Sequence, residues 1–169
     1  MANFYQKPEL GYDYADLEPF LSEELLKLHY DKHHQAYVDG ANNLLKQMDQ
    51  ARDNGEKVSK RDLLKHLSYH IGGHVLHSVF WSVMRPAEKP SIPQGKIKSV
   101  IEDEFGSFKQ FKKEFEQTAK SVEGSGWAAL AYCSQTKRPI LMQIEKHNVN
   151  LFPGFKILMV LDVWEHAYY

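Results

Sequence analysis

Nine histidines stand in this sequence, and most of them recur at helical spacing. In HYDKHHQAY, His29, His33 and Tyr37 are four apart. Residues i and i+4 share one face of a helix, so these three side chains point the same way. His66, His70, His74 and His77 follow at spacings of four, four and three, which makes a continuous stripe. His77 leads into Ser-Val-Phe-Trp and so sits among apolar groups. A buried imidazole needs a polar partner, because an unpaired one costs about 1–3 kcal/mol. A metal ion is one such partner. Taken singly, each helical histidine has a plainer reading as a structural or solvated residue, and His66 and His70 are read that way. The strongest local signal is Asp162 and His166 in FKILMVLDVWEHAYY. Asp162 ends an apolar run, so its carboxylate is expected to be buried, and buried carboxylates are paired or bind metal. If the chain turns helically there, His166 falls on the same side. The plainer alternative is a helix N-cap beside a chance histidine.

Three imidazoles and one carboxylate suit a first-row metal of borderline hardness, such as iron, manganese or zinc. The absence of thiolate counts against a structural zinc site. Trp81, Trp127, Trp164, Phe80 and Tyr168 flank these residues in the sequence and are expected to form a dry aromatic wall, although aromatic residues also serve as plain core.

These side chains must be held by a small protein. The 169 residues are 43% hydrophobic and 25% charged, with a formal net charge of −1. That is an ordinary globular balance. It gives no basic stripe for nucleic acid. The one cysteine, Cys133, excludes an intrachain disulfide and a multi-thiolate metal site, and it fits a cytoplasmic setting. The N-terminus shows no signal-peptide pattern, and no apolar run is long enough for a membrane helix.

The fold class expected is α+β. Ser22 caps a first helix that runs to about Gln50, with a weak point at Gly40. QARDNGEK is the turn. Ser59, with Asp62 three residues on, starts a second helix that runs to about Met84. Short connections favour an antiparallel helical hairpin. Gly72 and Gly73 would let another backbone approach. Pro86, Pro90 and Pro93 mark a linker. Two domains are expected, 1–88 as the hairpin and 89–169 as an α/β half. In the second half, Lys96 to Phe105 reads as a helix and Ser107 caps another, while WAALAYCS, PILMQIEK and FKILMVLDVW read as strands. QTKR joins the first two strands as a hairpin. Helices followed by strands place helices on an antiparallel sheet.

HYDKHHQAYVDGANNLL, GGHVLHSVFW, GSGWAAL and DVWEHAYY resemble the iron/manganese superoxide dismutase family. The resemblance runs from LEPF to the last residue. It implies a helical hairpin followed by an α/β half with a three-stranded antiparallel sheet, and one iron or manganese ion per chain on His29, His77, Asp162 and His166. The implied reaction takes superoxide to oxygen and hydrogen peroxide by redox cycling of that ion. His33 and Tyr37 resemble the pair guarding the substrate channel, with Tyr37 supplying protons. Trp81, Trp127 and Trp164 resemble the hydrophobic shell. Glu165 resembles a residue that reaches across a dimer to the partner's His166. Tyr169 resembles one that reaches to the partner's His33. A homodimer or homotetramer is implied. His147 stands where many members carry a glutamine that bonds the metal-bound solvent. The alternative place for that glutamine is Gly73. Lys32 is expected to help steer the anion. The family pattern continues past HAYY into a helical segment, so this chain reads as a shortened form.

Two other readings compete. A zinc hydrolase on the same ligands would need a carboxylate base, and Glu165 is the acidic residue nearest a ligand. A metal-binding remnant without turnover is the other.

Overall fold

The computed structural model describes residues 4–86 and 93–168. The expected boundary at 88/89, Pro90 and Tyr169 lie outside these residues.

Ser22 starts the first helical run, with its Oγ accepting from Leu25 N at 3.2 Å. Glu23 and Glu24 stand in the first turn, where the helix dipole favours them. Helix α1 (Glu23–Leu28) passes without a break into a π-helical turn (His29–His34) and then into α2 (Gln35–Asn54). The irregularity therefore falls on the histidines themselves. The weak point expected at Gly40 is regular helix. Gly40 instead makes room for a neighbour, because a Cβ there would collide with the His70 ring. Gly55 ends α2 in the left-handed region at φ 66°, which glycine adopts at little cost. Helix α3 (Lys60–Ser82) returns antiparallel, capped by Ser59.

In the second half, α4 (Gly95–Phe105) and α5 (Phe108–Lys120) precede three strands. Ser107 Oγ accepts from Gln110 N at 3.1 Å and so caps α5. Strands β1 (Gly126–Cys133), β2 (Pro139–Glu145) and β3 (Phe155–Asp162) form one antiparallel sheet in the order β2-β1-β3. The expected fold class is what the chain adopts.

The sheet has two covered faces. Trp127, Ala129, Met142, Ile144 and Val160 face the helical hairpin and join Leu26, Tyr30, Leu76, Phe80 and Trp81 in one core. Leu130 on the other face packs with Ile101 and Phe111 of α4 and α5. Central β1 is buried on both sides, which explains its near-unbroken apolar run. A bulge sits in β3. Leu130 pairs with Met159 but Ala131 pairs with Ile157, which leaves Leu158 as the extra residue. An extra residue reverses the alternation of a strand. Ile157 below the bulge and Val160 above it therefore face the same core. Asp162 consequently pairs with Trp127 on the hairpin side of the sheet.

Candidate metal centre

Four elements each deliver one side chain to the seam between hairpin and sheet. His29 opens the π-helical turn, His77 lies near the end of α3, Asp162 ends β3, and His166 sits in a 3-10 turn (Glu165–Ala167). One ligand atom from each lies within 4.8 Å of all the others. His29 Nε2 is 2.9 Å from His77 Nε2 and 3.2 Å from Asp162 Oδ2. Asp162 Oδ2 is 3.8 Å from His77 Nε2 and 3.6 Å from His166 Nε2. Atoms bound to one metal at about 2.1 Å stand roughly 3–4 Å apart, so the set needs only a small contraction to share an ion.

The local bonds aim the right atoms inward. His77 Nδ1 donates to Gly73 O at 2.6 Å, so its proton is spent on the helix and Nε2 keeps a lone pair. Asp162 Oδ1 accepts from Trp164 N at 2.9 Å, which leaves Oδ2 facing the three imidazoles. Among the described residues, Asp162 Oδ2 and His166 Nε2 are buried with no hydrogen-bond partner. Two orphaned buried atoms pointing at one space are costly unless a cation fills it. The residues fit a bound metal.

Charge agrees. Burial lowers the pKa of His29 and pushes that of His77 well below 6.5, against the pull of Asp162. Both imidazoles are neutral at pH 7, as metal ligation requires. For Asp162, burial alone would raise the pKa. The imidazoles of His166 and His29 outweigh it and hold the carboxyl at about 2.

A second ring of residues surrounds these four. His147 is fully buried between Tyr37 and Trp127. Trp127 Nε1 donates to His147 Nδ1 at 3.1 Å. An indole can only donate, so the imidazole proton is on Nε2 and is given to Tyr37 Oη at 2.8 Å. Trp164 stacks on His147 with ring centroids 4.5 Å apart. The glycine pair makes this possible. A Cβ on Gly72 would collide with the His147 carbonyl, and one on Gly73 would come within 2.6 Å of the Tyr37 ring. Gly72→Ala is therefore expected to destabilise the fold by about 1–3 kcal/mol. It should also displace His147. An unchanged denaturation midpoint, with an unchanged His147 resonance, would show that the loop gives way freely.

His33 stacks on His166 with centroids 4.1 Å apart, beside the ligand set. Trp81 and Trp127 are buried against His29 and His77, at 4.8 and 5.0 Å. Tyr168 departs from the expected aromatic wall, since it is 61% exposed in the single chain. Glu165 is exposed and so is not the buried base that a zinc hydrolase would need. His66 is exposed, and His70 packs on Gly40. Sequence reading missed two residues. His34, fully buried, accepts from Trp81 Nε1 at 2.9 Å. Tyr69 packs edge-on against both Tyr37 and His147, with ring centroids 5.9 and 4.9 Å away. For His34 the available signal was its doublet with His33, which a regular helix would have turned off the site.

Burial lowers both His34 and His147 from 6.5 to about 3. Below pH 6.5 the unfolded chain takes up protons that these folded imidazoles refuse. Stability is then lost as pH falls from 6.5 toward 3, by about 1.4 kcal/mol per pH unit for each. Asp162 extends the loss between about 4 and 2, since its folded pKa lies below 3.8. Urea midpoints of metal-free protein should fall steadily from pH 6.5 to 4. A flat profile would mean that the buried imidazoles titrate freely.

Comparison with known proteins agrees with this site. The model for the alpha-hairpin domain of iron/manganese superoxide dismutases matches residues 4–85, and the model for their C-terminal domain matches 93–169. An iron superoxide dismutase of Methanothermobacter marburgensis is 59% identical over 98% of this chain and 83% of its own length. One from Methanothermobacter thermautotrophicus is 57% identical over 98% of this chain and 82% of its own. A manganese/iron superoxide dismutase of Aeropyrum pernix is 41% identical, over 98% and 78%. With both halves matched and four candidate ligand atoms converging at their seam, this chain belongs to the iron/manganese superoxide dismutase family.

Proposed function

We propose that this chain is a superoxide dismutase working through one iron or manganese ion held by His29, His77, Asp162 and His166. The observation that carries the reading is the convergence of these four ligand atoms, two of them buried without a hydrogen-bond partner. Bound there, the metal supplies a one-electron couple that oxidises one superoxide to oxygen and reduces a second toward hydrogen peroxide. The protein's part is to hold the ligands, exclude bulk water and deliver protons. Trp81 and Trp127 wall the site. Tyr37 accepts from His147 Nε2, so its own hydroxyl hydrogen stays available for donation. Burial raises the Tyr37 pKa, which keeps the phenol protonated as a donor through the neutral range. His33, half-buried beside His166, stands where an anion would enter. Exposed Lys32 next to it can steer that anion, an effect that weakens with salt.

A homodimer or homotetramer fits the same reading. A cleft of about 700 Å³ beside His166 is lined by Glu165 and Tyr168 and is open in the single chain. The antioxidant role and the cytoplasmic location belong to this proposal also. No described helix is long and apolar enough to cross a membrane.

The test is reconstitution of metal-free protein with iron, manganese and zinc in separate samples. Dismutation with iron or manganese, and none with zinc, is expected. Full folding and stoichiometric loading with all three but no turnover would overturn the enzyme reading in favour of a metal-binding remnant.

A further inference from the structure

Beside the metal centre runs a second buried polar chain that the reaction does not use. Trp81 Nε1 lies 2.9 Å from His34 Nδ1. His34 Nε2 lies 2.9 Å from His74 Nδ1. All three side chains are buried, at 3%, 0% and 8% exposure. The direction of the chain is forced. An indole only donates, so His34 Nδ1 must accept. The single proton of a neutral His34 is then on Nε2 and is given to His74 Nδ1. His74 in turn carries its proton on Nε2. Tyr5 covers His74 edge-on at 5.2 Å.

The geometry has a mechanical meaning. His74 and Trp81 are both on α3, seven residues apart, which is two helical turns. His34 comes from the π-helical turn and bridges them. It is thus a staple that ties the segment carrying His29 to the helix carrying His77. The His34 ring also stacks at 5.4 Å on His77, while Trp81 meets His29 edge-on at 4.8 Å. The same bonds occupy the lone pairs by which two further buried imidazoles could compete for the ion.

We infer that Trp81, His34 and His74 form a directional positioning relay that fixes His29 against His77 and keeps His34 and His74 out of the ligand set. His34 and His74 are positioning residues that act through Trp81 and touch no substrate. The consequence for the metal rests on the ligand assignment above, but the relay itself is testable without metal or turnover.

The first measurement is the histidine tautomers in metal-free wild-type protein, by nitrogen NMR at pH 7. Both His34 and His74 are expected to carry the proton on Nε2, with bare Nδ1. The reverse tautomer in either one would overturn the relay. The second uses variants. His74→Leu removes the terminal acceptor, and His74→Asn replaces it with an amide oxygen near the position of Nδ1. His74→Leu should shift the Trp81 indole resonance in metal-free protein. It should also change the line shape of the high-spin iron EPR signal and weaken metal retention by about tenfold. His74→Asn should bring all three back toward wild type. If His74→Leu lowers only the melting temperature, with the indole and EPR signals unmoved, the pair is packing and the inference fails. If His74→Leu does not fold, the tautomer result decides alone.

Discussion

Asp162→Asn is expected to abolish stoichiometric metal uptake, and dismutation with it, and to lower the stability of the metal-free fold at neutral pH. Asp162 is the only anionic member of the ligand set, and its Oδ2 is buried with no hydrogen-bond partner. An amide keeps the shape and keeps an oxygen for Trp164 N, which Asp162 Oδ1 now accepts from at 2.9 Å. Its nitrogen carries two hydrogens, so at most two of the three imidazoles gain a donor. The surrounding imidazoles hold the Asp162 carboxyl below its ordinary range in spite of burial, so the fold favours the charged form and losing the charge costs about 1–3 kcal/mol at neutral pH. Affinity for the ion should fall by more than the 10–100-fold that an outer-shell change costs, since a ligand itself is lost. Elemental analysis and thermal melts with and without iron would check both halves. Retention of one ion per chain would remove Asp162 from the ligand set.

His147 carries the second large effect. His147→Leu keeps the volume but strips partners from two buried groups at once, the Trp127 indole and the Tyr37 hydroxyl. The expected costs are about 1–3 kcal/mol in stability for each group left unsatisfied and 10–100-fold in turnover. His147→Gln is different, because an amide is both acceptor and donor and can serve both neighbours. It should keep metal binding and much of the stability, yet change the balance between iron and manganese activity. Equal kinetics for wild type and His147→Gln with both metals would end the idea that this residue tunes the centre.

Much of this was legible in the sequence because it rests on short-range rules. Serines 22, 59 and 107 announce three helix starts, and all three cap. Phe108, Phe111 and Phe115 repeat at helical spacing and mark the face of α5 that meets the sheet. The convergence of the four candidate ligands was legible for a different reason: Asp162 is a charge at the end of an apolar strand, and such a charge needs a partner. What escaped was irregularity. No local pattern marks the π-helical turn at His29–His34, because tertiary packing sets it. That turn lets His29, His33 and His34 all face inward, where regular spacing would send one of them to solvent. His34 was lost for that reason. Tyr168 was misplaced because its apolar body resembles core, while the surface it lies on is open in one chain.

The extra residue at Leu158 bears on how this chain can change over time. Every side chain of β3 beyond it owes its direction to an odd count, so Asp162 reaches the hairpin only while that count holds. Substitution at Leu158 is expected to be mild, because the side chain is 36% exposed and stands outside both core clusters. Deletion of the same residue would turn Asp162 to the opposite face and dismantle the centre without altering a single ligand. Along this strand, drift in residue identity is tolerated and drift in length is not.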